Sequence, residues 1–575
     1  MNAISRRDFI QKTAALAGAV GAGVASEAKA APPRPDFGAM SLEELVGQLV
    51  IARLQDWPLM KKYAQQGIIS GMTPSLTKLS PREVAEFTNR FQKLSKHPLL
   101  FGFGGVSYSG GTDLRLSQAM RLAATRSREL CYKAAKIEAV ETRALGYHIA
   151  GVPNLDVNTN PDNPIINLRS LGDNVGLVIE LGGELCRGTI DGGAAPILMH
   201  FPGHGATSGD SHVAMPEVRR SRDELDAVDL KPFAEIIRRG LARLVCTNHC
   251  CYPALESERR VPATLSRKIV TGLLREKLGF DGVIMSDSLT MRAIKNEYGI
   301  EEAAIETVSA GHDMILQDYQ SDPLITIEAL ARAVRKGRIP REQVEASVTR
   351  VWRLKHELGL FAQRFVDVEE IPRRFATKAS AALAQRIAHE SVTLLENRGL
   401  PLKADFKPAI VVISNGSVAT IEQDMASKYS PSNHRLNEQV RQRAANAQAV
   451  ILSTALKPQE LEQAFTATKS ADWVVFGLFT RVRSYVEDAI RVPKLYRDLI
   501  ERVAAAGRKV ALLNFGNPYV MAELPKPHVS LCTFSDADAS IDAAVQVLFG
   551  ELKPRGILPV RISAAYPFGF GLRES

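Results

Sequence analysis

Cysteine is scarce in this chain, with six among 575 residues, far too few for a scaffold stapled by disulfides. Aromatic residues make up only 6%, and no dense Lys/Arg block is interleaved with them. The formal charge of +9 arises from 72 basic residues scattered among 63 acidic ones, a distribution that argues against a nucleic-acid partner. No segment is apolar enough over enough residues for a stable membrane span. Low-complexity tracts and internal repeats are lacking as well. What is present is ordinary for globular domains: 45% hydrophobic and 23% charged residues, which excludes global disorder, collagen and coiled coil. At about 100–200 residues per domain the length calls for about three domains, or two if one is a large barrel.

The N-terminus carries Ser5-Arg6-Arg7-Asp8-Phe9-Ile10 with Lys12, then a weakly apolar stretch Thr13–Ser26, then Ala28-Lys29-Ala30. This pattern resembles a twin-arginine export signal ending in the small residues a signal peptidase needs. Residues 1–30 are expected to be removed after transient contact with the twin-arginine export machinery, leaving a bacterial protein that is periplasmic or secreted. The alternative is a disordered tail. No cysteine lies near the cleavage site to take a lipid anchor. The segment holds Arg6, Arg7, Lys12 and Lys29 against Asp8 and Glu27, so its removal lowers the formal charge from +9 to +7.

From about residue 40 to 365 short apolar runs alternate with amphipathic stretches. The runs Ile68–Met72, Leu99–Phe103, Ile149–Val157, Pro196–His200, Leu241–Thr247, Gly282–Ser286 and Met314–Leu316 read as strands. Pro81–Leu94, Asp173–Arg187, Asp223–Arg239 and Arg267–Leu278 read as helices, the last with Ser266 as N-cap and Gly279 as stop. Repeated strand–helix units over this length predict a (β/α)8 TIM-like barrel. A doubly wound open sheet competes, but no G-x-G-x-x-G follows the first strand. Gly102-Phe103-Gly104-Gly105 lacks the Lys and Ser/Thr of a phosphate loop and reads as a tight turn. An Arg/Ala-rich linker at 366–390 leads to residues 391–575. There, Ile410–Ile413, Ala449–Leu452, Trp473–Gly477, Val510–Asn514 and Val529–Phe534 predict a smaller α/β domain, an open-sheet sandwich. The fold class is therefore α/β throughout.

Three of eleven histidines fall in one segment, Met199-His200-Phe201-Pro202-Gly203-His204-Gly205-Ala206-Thr207-Ser208-Gly209-Asp210-Ser211-His212. Its prolines and glycines mark a loop leaving a strand, the place where a barrel builds its active site. One reading makes the histidines metal ligands with Asp210, although no H-E-x-x-H or H-x-H supports it. A second makes Asp210 orient His212 for general acid/base work. A third lets the histidines merely bond to backbone. Downstream, Val283-Ile284-Met285-Ser286-Asp287-Ser288-Leu289-Thr290-Met291 ends an apolar strand at Ser286 and delivers Asp287 to the same face. Either Ser286 or Asp287 simply caps the next helix, or the carboxylate and a histidine share the work of retaining glycoside hydrolysis. Cys246, Cys250 and Cys251 surround His249 and could suggest zinc, but their place at an apolar strand favours buried thiols.

The histidine segment resembles the K-H-F-P-G-H-G-x4-D-[ST]-H signature of the β-N-acetylglucosaminidase branch of glycoside hydrolase family three. Val283–Met291 is similar to that family's S-D-x-L-x-M motif. Asn154-Leu155-Asp156-Val157, Thr247-Asn248-His249, Tyr252-Pro253-Ala254, Asp281-Gly282 and Ala310-Gly311-His312-Asp313-Met314-Ile315-Leu316 match as well. Ser391–Asn397 and Tyr566–Leu572 resemble the borders of the accessory domain in two-domain members. The resemblance implies Asp287 as nucleophile, His212 as acid/base held by Asp210, and sugar contacts from Arg169, His200 and Arg115. It implies a carbohydrate substrate, with neither metal nor cofactor. Two positions depart from the pattern. Met199 stands where the family has Lys, and Ser107, in Ser107-Tyr108-Ser109-Gly110-Gly111-Thr112, stands where it has the Asp that grips distal hydroxyls. Each lost charged partner costs about 1.5–3 kcal/mol, and Met199 could instead pack in a remodelled subsite. The expected activity is an exported retaining β-N-acetylhexosaminidase acting on peptidoglycan fragments. The alternatives are a family-three glycosidase or phosphorylase of altered glycone specificity, and an inactive glycan-binding homologue.

Overall fold

The computed structural model describes residues 35–573 apart from 75, 77–78, 103–115, 117, 151–152, 212–214, 318–319, 404–410, 416–431, 454–455, 481 and 483–486. The first domain is a ring of parallel strands. β1 (Val50–Ala52), β2 (Gly71–Met72), β3 (Leu100–Phe101) and β7 (Ile315–Leu316) form one sheet in the order β3-β2-β1-β7. β4 (Ile197–Phe201), β5 (Leu244–Thr247) and β6 (Val283–Ser286) form another. Single parallel bridges close the ring: Gly102 to Ile149, Ile149 to Ala195, and Met285 to Met314. The Ile149 segment thus takes the eighth position, and the expected (β/α)8 barrel is the fold observed.

Strand alternation explains what fills it. Ile51, Leu100, Ile149, Ile197, Met199, Leu244, Cys246, Val283, Met285, Met314 and Leu316 form one buried apolar cluster inside the ring. Their neighbours Val50, Ala52, Met72, Phe101 and Ile315 point outward against the helices. Helix Pro81–Leu94 matches its expected bounds because its start is written locally: the Ser80 hydroxyl and the Glu83 carboxylate form a reciprocal cap around Pro81. Two differences stand out. β1 goes unmarked by the sequence pattern, since its three residues continue an apolar run that begins in helix Leu42–Gly47. Among its described residues, the run Ile149–Val157 pairs through single bridges at Ile149 and Asn154 rather than as a strand ladder.

Among the described residues the second domain is built on a six-stranded sheet. Its strands are β8 (Thr393–Asn397), β9 (Val411–Asn415), β10 (Gln448–Leu452), β11 (Trp473–Leu478), β12 (Lys509–Asn514) and β13 (Val529–Cys532), in the order β10-β9-β11-β12-β13-β8. All pairs are parallel except β13 with β8. Alternate residues feed two cores. Val474, Phe476, Val510 and Leu512 pack against helix Lys494–Ala505. Trp473, Val475, Ala511 and Leu513 pack against helix Asp538–Leu548. This is the expected sandwich. Met120 and Ala124 of the first domain enter the former core, and Leu168 packs against it. Among the described residues no helix is long and apolar enough to cross a membrane.

Candidate active site

The carboxyl ends of the barrel strands carry the chemistry. Asp156 is completely buried there, and its carboxylate accepts from His200 Nδ1 at 2.8 Å, from the His200 amide at 3.2 Å and from the His204 amide at 2.6 Å. Burial alone would raise this carboxyl; the His200 imidazole, His204 and their N–H donors outweigh it and hold Asp156 below the ordinary carboxylate range. With Nδ1 directed to Asp156, His200 Nε2 is left to accept from the Arg169 guanidinium, 3.3 Å away. Arg169 ends the short 3-10 turn Asn167–Arg169, and its other nitrogen donates to the Ile165 carbonyl at 3.1 Å. Carboxylate, imidazole and guanidinium therefore stand in one row.

The loop beyond His200 is tied down by its own residues. His204 Nδ1 lies 2.8 Å from the Thr207 hydroxyl and Nε2 3.0 Å from the Ser211 hydroxyl. Asn163 donates to the His204 carbonyl at 2.8 Å. Burial lowers His204 to about 4, so its ring is neutral at neutral pH. A Cβ on Gly205 would lie 2.0 Å from the Val157 carbonyl oxygen, which explains why glycine follows His204. Asp210 and Ser211 are both buried at the end of this loop. His212 lies outside the described residues, as do Arg115 and Ser107.

Asp287 follows β6 at the mouth and is half-buried. Its amide donates to the Thr247 carbonyl at 3.3 Å, and its Oδ1 accepts from the Ser288 amide at 2.7 Å. The Ser286 hydroxyl is turned aside to accept from the Leu316 amide. Neither residue caps the following helix, whose N-cap is Met291. Beneath Asp287, His249 joins the Thr264 hydroxyl and the Ser288 carbonyl, each at 3.0 Å. His312 contacts the Thr247 hydroxyl at 2.9 Å. Asn248 donates to the His200 carbonyl at 3.0 Å and to the Tyr252 hydroxyl at 2.7 Å. Cys246 lies buried in the barrel interior below these groups' strands. Burial pushes its thiol well up, the charges of Asp287 and Asp156 push further, and Arg169 opposes them.

The structure thus joins Arg169, His200 and Asp156 in one hydrogen-bonded row, places Asp287 just beyond β6 of the sheet that carries His200 on β4, and leaves Asp210 buried at the end of the histidine loop. Met199 belongs to the apolar interior and is 6% exposed. All six cysteines are buried and free. Among the described residues no cluster of three His, Cys, Asp or Glu side chains is arranged to hold a metal ion. The sequence pattern assigns no role to Asp156, which it shows only as part of a matching segment, and none to Asn158 or Tyr519.

Comparison with known proteins follows the same division. The profile of the glycosyl hydrolase family 3 N-terminal domain matches residues 41–354, and that of the family's C-terminal domain matches residues 392–567. The chain is 27% identical over 526 residues to beta-hexosaminidase A of Pseudoalteromonas piscicida, across 82% of this chain and 84% of that one. It is 34% identical over 258 residues to beta-hexosaminidase LpqI of Mycobacterium tuberculosis, across 43% of this chain and 64% of that one. A solved family 3 beta-N-acetylglucosaminidase from Paenibacillus sp. str. FPU-7 superposes with a TM-score of 0.80 at 30% identity, covering 91% of this chain and 99% of its own.

Proposed function

Because the chain belongs to glycosyl hydrolase family 3 and is a glycoside hydrolase, we propose that it is a retaining β-N-acetylhexosaminidase releasing terminal β-linked N-acetylglucosamine. The observation that carries this reading is Asp287, a half-buried carboxylate just beyond β6, on the same sheet as β4, whose His200 belongs to the row Asp156–His200–Arg169. In this reading the Asp287 carboxylate attacks the anomeric carbon while His212 donates a proton to the departing glycosidic oxygen. A covalent glycosyl ester forms on Asp287. His212, now neutral, takes a proton from water, which attacks the anomeric carbon and frees Asp287 with retained configuration. Asp210 orients His212. Arg169, His200 and Arg115 hold the sugar. A histidine in place of a second carboxylate avoids two close negative charges raising each other's pKa.

Hydrolysis of a nitrophenyl β-N-acetylglucosaminide should disappear in Asp287→Ala and in His212→Ala; unchanged turnover in both excludes this reading.

Met199 favours a second reading of specificity. Its side chain packs with the barrel interior, so the charge a family lysine would offer the sugar is missing, and Ser107 removes another. A glycone other than N-acetylglucosamine, or phosphate as the acceptor, would follow. A panel of aryl glycosides assayed with and without phosphate separates the two.

We also propose that the enzyme is exported and that its substrate derives from peptidoglycan. The Arg6-Arg7 segment supports export, and a formal charge of +7 after its removal favours anionic cell-wall material. Cell fractionation of the parent and of an Arg6→Lys, Arg7→Lys variant tests the location.

A further inference from the structure

The loop that presents Arg169 is held from the other domain. Asn158, two residues beyond Asp156 and 1% exposed, is its junction. The Asn158 amide donates to the Gly172 carbonyl at 2.9 Å, and its Oδ1 accepts from the Asn167 amide at 3.1 Å. The Asn158 side chain thereby holds the start of the turn Asn167–Arg169, and its backbone N–H holds the chain at Gly172 beyond the turn's end. Asn158 Nδ2 in turn donates to the Tyr519 hydroxyl at 2.9 Å, across 361 residues of sequence. Tyr519 belongs to the 3-10 turn Pro518–Ala522 just beyond β12, and its hydroxyl also faces the Asn158 carbonyl at 3.4 Å. Burial raises the Tyr519 phenol above its ordinary range, so it keeps its proton and can donate as well as accept.

The turn needs this support. Asn167 has φ +40°, in the left-handed region that costs a non-glycine residue unless its surroundings enforce it. Leu168, between Asn167 and Arg169, packs against the second-domain core. At the far end of the loop the Arg561 amide donates to the Asp173 carboxylate at 2.6 Å. The first domain thus supplies the guanidinium, while contacts from the second fix the backbone that aims it.

We propose that the second domain is part of the sugar-binding site, with Tyr519 a positioning residue that acts through Asn158 and Asn167 on Arg169. This rests on the hydrolase reading above. Arg169 contributes to glycone binding only while its backbone is held, so loosening the brace weakens substrate binding before it affects bond breaking.

Tyr519→Phe keeps the ring and removes the hydroxyl. Loss of that one hydrogen bond should raise KM for the nitrophenyl glycoside about five-fold, leaving kcat within about two-fold. The substitution should change KM by less than about two-fold in an Arg169→Ala background, because its effect passes through the arginine. Leu168→Ala, which loosens the same turn from the packing side, should raise KM in the parent and not in Arg169→Ala. Calorimetric binding of an N-acetylglucosamine-type inhibitor should weaken in step with KM. Equal KM increases in the parent and Arg169→Ala backgrounds overturn the proposal, as does an active parent in which neither substitution moves KM. A parent that neither turns over the glycoside nor binds the inhibitor overturns this proposal together with the hydrolase reading.

Discussion

The completely buried Asp156 carboxylate and the His200 imidazole meet at 2.8 Å, and the far side of that imidazole faces Arg169. The pair decides which way His200 presents its lone pair, and so whether the guanidinium is held toward the mouth. Asp156→Asn keeps the shape but can offer a donor where His200 Nδ1–H needs an acceptor. Misaiming of His200 and Arg169 should lower kcat/KM by about 10–100-fold. Asp156→Ala leaves the two N–H donors and the imidazole without their acceptor, and should cost about 3–5 kcal/mol in denaturant unfolding.

The same carboxylate sets an acid limit. Its folded pKa lies below the ordinary value, so it contributes stability that is present above the unfolded carboxylate range and is lost as pH falls through the depressed value. The stability difference between parent and Asp156→Asn should therefore shrink steadily as unfolding is measured from pH 6 down to pH 2 (about four such points suffice). A difference that grows on acidification contradicts this.

His204 acts at milder pH. Its folded value is lowered to about 4 by burial, beneath the roughly 6.5 of an unfolded histidine. Protons bind the unfolded chain first, so stability present above pH 6.5 is lost as pH falls from there to about 4. His204→Gln removes that dependence while retaining groups for Thr207 and Ser211. Its Tm should fall less than that of the parent across this interval in a thermal melt series.

Gly205 admits no side chain. A methyl group there would meet the Val157 carbonyl at 2.0 Å, and the obstacle is backbone rather than a movable side chain. Gly205→Ala should destabilise the fold by more than about 3 kcal/mol or displace the histidine loop. Circular dichroism melts together with glycosidase assays would register either result.

Met199 tests the altered subsite. Met199→Leu conserves volume inside the barrel cluster and should cost less than about 1.5 kcal/mol. Met199→Lys carries an ammonium into a cluster containing Cys246 and Met285. It should lower Tm markedly and fail to raise activity on N-acetylglucosaminides. A gain in kcat/KM for Met199→Lys would mean that the interior can open toward the sugar.

Legibility followed the range of the interactions. Helix Pro81–Leu94 could be read because its cap, proline and apolar stripe lie within fifteen residues. Six of the barrel strands, β2 to β7, could be placed to within a few residues, since inward and outward alternation is a local pattern. β1 could not, because three apolar residues carry no period of their own. The Ile149–Val157 segment was apolar enough to read as a strand, yet it departs from the ladder where Asp156 turns beneath the histidine loop.

By itself the amino-acid order determined the α/β alternation, the two-domain plan, the glycine-bound histidine loop and the carboxylate at the end of β6. All of these are written in contiguous residues, where periodicity and turn chemistry act. Only the tertiary structure decided that Asp156 orients His200, that Met199 packs inward, and that Tyr519 braces the turn of Arg169. Those relationships join residues 44 and 361 positions apart, or depend on which face of a strand closes the barrel. A buried polar atom takes its partner from whatever the folded chain brings within about 3 Å, and separation along the sequence does not specify that neighbour.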